Sequence, residues 1–375
     1  MLKTGDEMKG KKLLRFGLLC LALLCLSGSY GAADAPAGPE PGRQSATLRP
    51  AATVHTLMAV GDLNFATIAD KLISNPSYPW VDTRELLRSA TILVGNLEVP
   101  FSDRGAVYVP KKWLLRADPR TVASLTAAGF DLVTLANNHI MDFGLPALED
   151  TLFTLNRAGI AHTGAGMNEA AARKPAFCTA PDGTRFAFLA YSQTFPEEFW
   201  AQGDRPGTAH ANRAILAADI RKAKAQADLV IVSFHWGKEL ETMPAPYQKE
   251  FARLCIDAGA SLVLGHHPHV LQGFEVYRGG LIAYSLGNFL FSTYSRRTVD
   301  SVILAVDFDR SGPVAARLYP VNVNNYEVAF QTRLRRGADA ERVLRDLRGY
   351  SAEFQTPIAS RDGLGIIRIP RQPRR

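Results

Sequence analysis

The 375-residue sequence predicts an α/β fold, and three observations carry that prediction. Helix-patterned stretches alternate with short apolar runs, the arrangement that builds a largely parallel central sheet covered by helices. Each apolar run stops at a polar cluster of Asp, Asn, Glu or His, and ligands in such sheets bind beyond the carboxyl ends of the strands. Ala-Gly or Ala-Asp dipeptides, as at Ala128-Gly129, Ala227-Asp228 and Ala258-Gly259, mark the passage from helix to strand.

The chain opens with a segment that does not belong to that core. Lys9, Lys11, Lys12 and Arg15 precede an apolar run from Phe16 to Leu26, and SGSYGAADA follows. Basic start, short apolar run and small residues read as a secretory signal peptide over residues 1–33, with an uncleaved anchor as the other reading. Bulky Leu19 and Leu24 before Cys20 and Cys25 argue against lipid attachment. The expectation is an exported protein, periplasmic or associated with the cell envelope. Without residues 1–33 the net charge of +7 falls to +4, 38 basic against 34 acidic side chains. Much of that excess sits in the tail RIPRQPRR. No basic stripe interleaved with aromatics occurs, which excludes nucleic acid as the expected partner.

Residues 34–52 are rich in Pro, Ala and Gly and read as a linker. From residue 53 the chain reads as one domain to about residue 350, with 351–375 as a C-terminal extension. HTLMAV leads into GDLN (61–64), and DTRELLRSATILV into GNLE (95–98). ADPRTVASLTAAGFDLVTLA ends in NNH (137–139). ANRAILAADIRKAKAQADLVIVSF runs into HWGKE (235–239), and PYQKEFARLCIDAGASLVL into GHHPH (265–269). Cys255 falls on the apolar stripe of Phe251, Leu254 and Ala258, so a buried core role is expected rather than a disulfide. Further strands are expected at 185–191 and 281–286. SVILAVDFD and ARLYPVNV, joined by a turn at Ser311-Gly312-Pro313, should pair antiparallel and continue the sheet. A helix over 338–349 and a short strand in GLGIIRI complete the chain.

Singly, an Asp after a strand is a turn residue and a lone His belongs to the core. Together, Asp62, Glu98, Asn138, His139, His235, His267 and His269 all fall at predicted strand ends. Carboxylate, amide oxygen and imidazole are the donors that hold borderline divalent metals. A carboxylate bridging two such ions, with several imidazoles, suits hydrolysis at phosphorus.

GDLN, GNLE, LANNHIMDFG, FHWGKE, GHHPHVLQG and SLGNFLF, in this order and spacing, resemble the CapA family. Its members are linked to poly-gamma-glutamate capsule synthesis and have a calcineurin-like metallophosphoesterase fold, a sandwich of mixed central sheets flanked by helices. The resemblance covers residues 53 to about 350. It implies one or two divalent ions (Mn, Zn or Fe) held by Asp62, Glu98, Asn138, His235, His267 and His269. It also implies that His139 acts on the leaving group, with Asp142 orienting it through a carboxylate–imidazole hydrogen bond. The chain departs from the metallophosphoesterase pattern twice. Asn64 stands where the first motif has His, and Asn96 where the second has Asp, so Glu98 becomes the expected bridge.

His266, and Asn288 in SLGNF, are expected near substrate or behind the ligands. Lys112 and Arg116 in PKKWLLR, and Lys238 and Glu239 after His235, are candidates for substrate contact. The other reading is an ordinary basic surface for the first two and a solvated loop for the second two. Pro268 fixes φ and stiffens the loop between His267 and His269. The expected function is envelope-polymer biosynthesis through phosphoester hydrolysis, with an anionic polymer or its precursor as partner and membrane-bound synthesis or export proteins beside it. Two other readings stay open: an assembly or export factor without catalysis, and a metal-dependent amide hydrolase acting on the polymer.

Overall fold

Strand side chains point alternately to opposite faces, and in this chain both faces of the strands are apolar, so helices or a second sheet must cover each. The computed structural model describes residues 54–371 and shows both solutions at once. The expected leader and linker, and the last residues of the Arg-rich tail, lie outside the described residues. The two main sheets, of ten and six strands, make the sandwich of mixed sheets that the resemblance implies, and Ala165–Gly166 pairs with Gly207–Thr208 as a third, two-stranded sheet. Each main sheet is parallel where the helix-connected strands sit; the smaller turns antiparallel at both edges and the larger at one.

In the larger sheet His55–Asn64 pairs parallel with Ile92–Leu97, and Leu132–Thr134 and Ala161–Thr163 follow, also parallel. On its other side it pairs antiparallel with Asp300–Asp309, which pairs antiparallel with Gly312–Asn322, the hairpin expected around Ser311-Gly312-Pro313. The smaller sheet sets Arg185–Ser192, Leu229–His235, Leu262–His266 and Gly280–Ala283 in parallel. Alternation then divides the core. Leu57, Ala59, Ile92 and Val94 face Phe186, Leu229, Ile231 and Leu262 between the sheets. Met58, Val60 and Leu93 turn outward beneath the helices Val122–Ala128 and Gly144–Arg157. Val230, Val232 and Val263 turn outward beneath Arg213–Lys224 and Pro246–Asp257. Cys255 lies fully buried in that outer layer; among the described residues Cys178 and Cys255 are free thiols.

The fold does not stop at residue 350. The helix Gly337–Ser351 packs Val343, Leu344 and Leu347 into the space at the edge of the sandwich. Leu364–Arg368 then pairs with Gly312–Asn322, and Ala359–Arg361 with Leu364–Arg368. The sheet continues through the segment expected as an extension, because the hairpin strand Gly312–Asn322 would otherwise present an open edge.

Candidate metal centre

Strand register brings the polar clusters together. Asp62 stands beside Asn96 on one side and Asn288 on the other, Asn96 beside Thr134, and His235 beside His266. Two glycines let the backbones close in. A Cβ at Gly61 would lie 1.9 Å from the Gly287 carbonyl oxygen, and one at Gly265 1.9 Å from that of Tyr284.

The centre forms around Glu98, which is fully buried. Its Oε1 lies 3.5 Å from His235 Nε2, 3.9 Å from His269 Nε2 and 4.0 Å from His139 Nε2. Neither carboxylate oxygen has a hydrogen-bond donor among the described residues. His235 Nε2 also lies 2.8 Å from Asn138 Oδ1 and 3.1 Å from His267 Nδ1. Asp62 accepts from the Asn96 amide at 2.9 Å and from the His267 backbone N–H at 3.2 Å. The His266 and His269 rings touch it at 3.2 and 3.3 Å. His269 Nδ1 contacts Asn288 Oδ1 at 2.9 Å. Both His267 and His269 hold left-handed backbone, φ 94° and 59°, a conformation non-glycine residues rarely adopt. The His-Pro-His loop is thus bent to turn both rings inward.

Charge in this pocket is unevenly shared. Burial pushes Asp62 up, yet the His266 and His269 contacts outweigh it and hold the carboxyl well below its usual range. Burial and then the Asp62 charge push Glu98 well above its usual range. Burial pulls His269 down, but Glu98 and Asp62 outweigh it and raise it to about 9. Burial and the His269 charge lower His267 to about 3, and burial holds His235 well below its usual range. Two buried carboxylates this close cannot both ionise without a compensating charge, and it is Glu98 whose charge burial and Asp62 disfavour.

A divalent cation fits that deficit. It would let Glu98 ionise and give its donorless oxygens a partner. Three donor sets lie close enough to hold one: Glu98, His235 and His267; Asp62, Glu98 and His269; and Glu239, His267 and His269. Asn138 Oδ1 adjoins the first set.

His139 has its Nδ1 2.8 Å from Asp142 Oδ2, which assigns the ring proton to Nδ1 and turns Nε2 toward Glu98. Asp142 accepts a second bond from the Leu115 N–H. Burial holds the His139 imidazole below its ordinary value, with the nearby Lys111 ammonium adding to the effect.

Among the expected residues, Asp62, Glu98, Asn138, His139, Asp142, His235, His266, His267, His269 and Asn288 converge. Asn96 lies behind them, bridging Asp62 and His235 (3.3 Å to Nδ1). Glu239 lines the cavity in front of them. Asn64 borders that cavity, but its Oδ1 accepts from the Ala66 N–H and the Ser292 hydroxyl, so it closes a turn where an imidazole would have faced a metal. Three of the candidates do not reach the centre. Lys112 is exposed, with its Nζ 5.2 Å from the Trp113 ring centre. Arg116 spends its guanidinium on the Asp103 and Gly105 carbonyls and stacks on Phe143. Lys238, 80% exposed, pairs with Glu241 in solvent. The cation that does reach the centre is Lys111, whose Nζ lies 2.6 Å from Asp142 Oδ1 and also contacts the Asn138 carbonyl. Burial pulls its pKa down. Asn137 was equally hidden in the NNH run: its amide ties Asn96 to the Leu97 carbonyl, and its Oδ1 accepts the His139 and Ile140 N–H groups.

A sequence model of the family described as bacterial capsule synthesis protein PGA_cap matches residues 56–293. The chain is similar to the capsule biosynthesis protein CapA of Bacillus anthracis, at 32% identity over 72% of this chain and 67% of that protein. It is similar to the PGA biosynthesis protein CapA of Bacillus subtilis (strain 168), at 31% identity over 71% of this chain and 70% of that one. Among solved structures, the NAD nucleotidase of Haemophilus influenzae aligns with 81% of this chain and 59% of its own at 13% identity, with a TM-score of 0.43.

Proposed function

The chain belongs to the bacterial capsule synthesis protein PGA_cap family, and from that premise we propose that it is an exported, metal-dependent phosphoester hydrolase serving capsule or other envelope-polymer biosynthesis. One observation carries the hydrolase reading: Glu98, fully buried, has two oxygens with no donor among the described residues and imidazole nitrogens on three sides. That arrangement is costly without a cation and suited to one.

Glu98, Asn138, His235 and His267 would hold one ion, and Asp62 and His269, sharing Glu98, a second. Bound there, the metal supplies Lewis acidity to a phosphoryl oxygen and to the attacking water. The remaining work falls to the protein. His267 and His269 are fixed by their strained loop. Asp142 holds the Nδ1 proton of His139 and so keeps Nε2 toward the reacting group. The negative charge of a phosphoryl group raises the imidazole pKa and draws a proton onto Nε2. As the water oxygen bonds to phosphorus and the bond to the alcohol oxygen breaks, His139 delivers that proton to the departing oxygen. Lys111, beside Asp142, balances its charge.

Asn64 favours a second reading. With its amide spent on Ala66 and Ser292, the pocket offers one imidazole fewer, which suits an assembly or export factor that keeps an ion for structure alone. Metal analysis of the purified exported protein, together with a panel of phosphoesters and poly-gamma-glutamate, separates the readings. Phosphoester turnover that requires bound metal supports hydrolysis; a metal-replete protein inert on every phosphoester rules it out. Export is tested by N-terminal sequencing of material from outside the cytoplasm, where a start between Ala32 and Ala35 is expected and an intact Met1 would contradict it.

A further inference from the structure

Beside the metal centre opens a cavity of about 520 Å³, within the range that seats a small organic ligand. His139, His269 and Asn288 lie on its inner side, so whatever fills it is joined to the reacting group. Its walls divide by chemistry. Trp113, Leu115, Leu240 and Phe291 supply apolar surface, and Trp113 is 65% exposed. Thr67, Thr293, Ser295 and Thr298 supply hydroxyl groups.

Charge is the deciding feature. Among the described residues no Lys or Arg lines the cavity, and its single carboxylate is Glu239. Positive charge belongs to its inner end, at His269 and the metal centre, where the phosphoryl group would sit. Lys111 is bound to Asp142, Arg116 to the Asp103 and Gly105 carbonyls, and Lys112 stands in solvent beside Trp113. Carboxylates held away from the inner end would leave water without gaining a lining cation and would meet Glu239 as a like charge. A group with an apolar face and several hydroxyls meets both an aromatic wall and hydrogen-bonding partners.

We propose that this cavity binds an uncharged, hydroxyl-bearing ring of the sugar type carried on the phosphoryl group, and that it rejects a polyanionic chain. The proposal rests on the phosphoester reading above and narrows it. The molecule acted on is then a sugar-phosphate-like precursor, while the carboxylate polymer itself does not enter.

The test uses the full exported protein in its metal-bound form and follows tryptophan emission. Trp80 and Trp236 are fully buried and Trp200 is half-buried, stacked on His210, so the exposed Trp113 should dominate any response to ligand, and a Trp113→Phe control should remove it. Glucose 1-phosphate is compared with 3-phosphoglycerate and with a γ-linked glutamate trimer. Expected is binding of the sugar phosphate at least tenfold tighter than either acid. Thr293→Arg, which places a cation on an exposed part of the wall, should narrow or invert that ratio. Equal or tighter binding of the acids, or no binding of glucose 1-phosphate, overturns the proposal. Hydrolysis of the two phosphoesters is scored separately. Selective binding without turnover removes the hydrolase reading and keeps the cavity's selectivity; turnover without selectivity does the reverse.

Discussion

Lys111 Nζ lies 2.6 Å from Asp142 Oδ1, while the other oxygen of the same carboxylate lies 2.8 Å from His139 Nδ1. One buried side chain therefore fixes both a cation and the imidazole nearest the cavity. The Leu115 N–H, also bound to Asp142, anchors the loop that carries Trp113.

Asp142→Asn tests that arrangement. The substitution keeps the shape but faces a largely buried amine with a neutral amide. It should cost about 1–3 kcal/mol in urea unfolding and lower turnover by roughly 100-fold, the scale of a positioned acid–base group. Metal content should stay within twofold of the parent protein. Unchanged turnover would show that the orientation of His139 does not matter.

Glu98 should behave in opposite ways with and without metal. In chelated protein, Glu98→Gln removes a buried carboxyl that lacks donors and sits close to ionised Asp62, so stability should hold or rise by about 1 kcal/mol. The parent protein should gain about 2.7 kcal/mol from metal at a hundredfold its Kd, and the variant should lose most of that gain. Thermal unfolding in chelator and in Mn²⁺ or Zn²⁺ gives both numbers. A variant that gains as much from metal as the parent would exclude Glu98 as a ligand.

Gly61, at a close crossing of strands before a polar cluster, and Gly159, in open space, predict a stability difference. Gly61→Ala would drive a Cβ to within 1.9 Å of the Gly287 carbonyl oxygen, where backbone must move on both sides. A loss of about 3 kcal/mol or more is expected, with weakened metal binding because Asp62 is next in sequence. Gly159→Ala meets no atom within 4 Å, and only its positive φ of 71° opposes it, for a loss of about 1 kcal/mol. Equal losses in denaturant titrations would mean that the close crossing of strands is not what requires Gly61.

The parts of the centre legible in the sequence are those fixed by strand ends. Asp62, Glu98, Asn138, His235 and His267 each follow an apolar run, and the carboxyl-end rule for parallel strands gathers them without any knowledge of which sheet each belongs to. That indifference is also why the sandwich of sheets came from the family resemblance and not from the pattern: the repeated helix–strand unit reads the same for His55–Asn64 as for Leu229–His235. Lys111 escaped because the segment between Val99 and Ala117 carries almost no regular structure, and with no periodicity two adjacent lysines are equivalent until the path of the loop is known. The turn that Asn64 closes escaped for a different reason. The Ser292 hydroxyl that engages it is 228 residues away, beyond anything local pattern can see. The strand expected in GLGIIRI is present as Leu364–Arg368, but its partner, Gly312–Asn322, is too distant for local pattern to show that it continues the sheet.

The sharpest division between enzyme and scaffold lies in comparing His139 with His235. His235 Nε2 is crowded by Glu98, Asn138 and His267 at 2.8–3.5 Å, so His235→Ala should lower metal affinity tenfold or more while the strand keeps its place in the smaller sheet. His139 stands 4.0 Å from Glu98 and is tied instead to Asp142. His139→Ala should therefore retain its metal and its unfolding midpoint to within a few degrees, yet lose about 100-fold or more in turnover. Metal analysis and hydrolysis in vitro are to be paired with complementation of a deletion strain. If catalysis is the task, neither variant restores polymer production. If the ion serves structure alone, His139→Ala restores it fully and His235→Ala does not, and full complementation by a metal-replete His139→Ala protein would end the hydrolase reading.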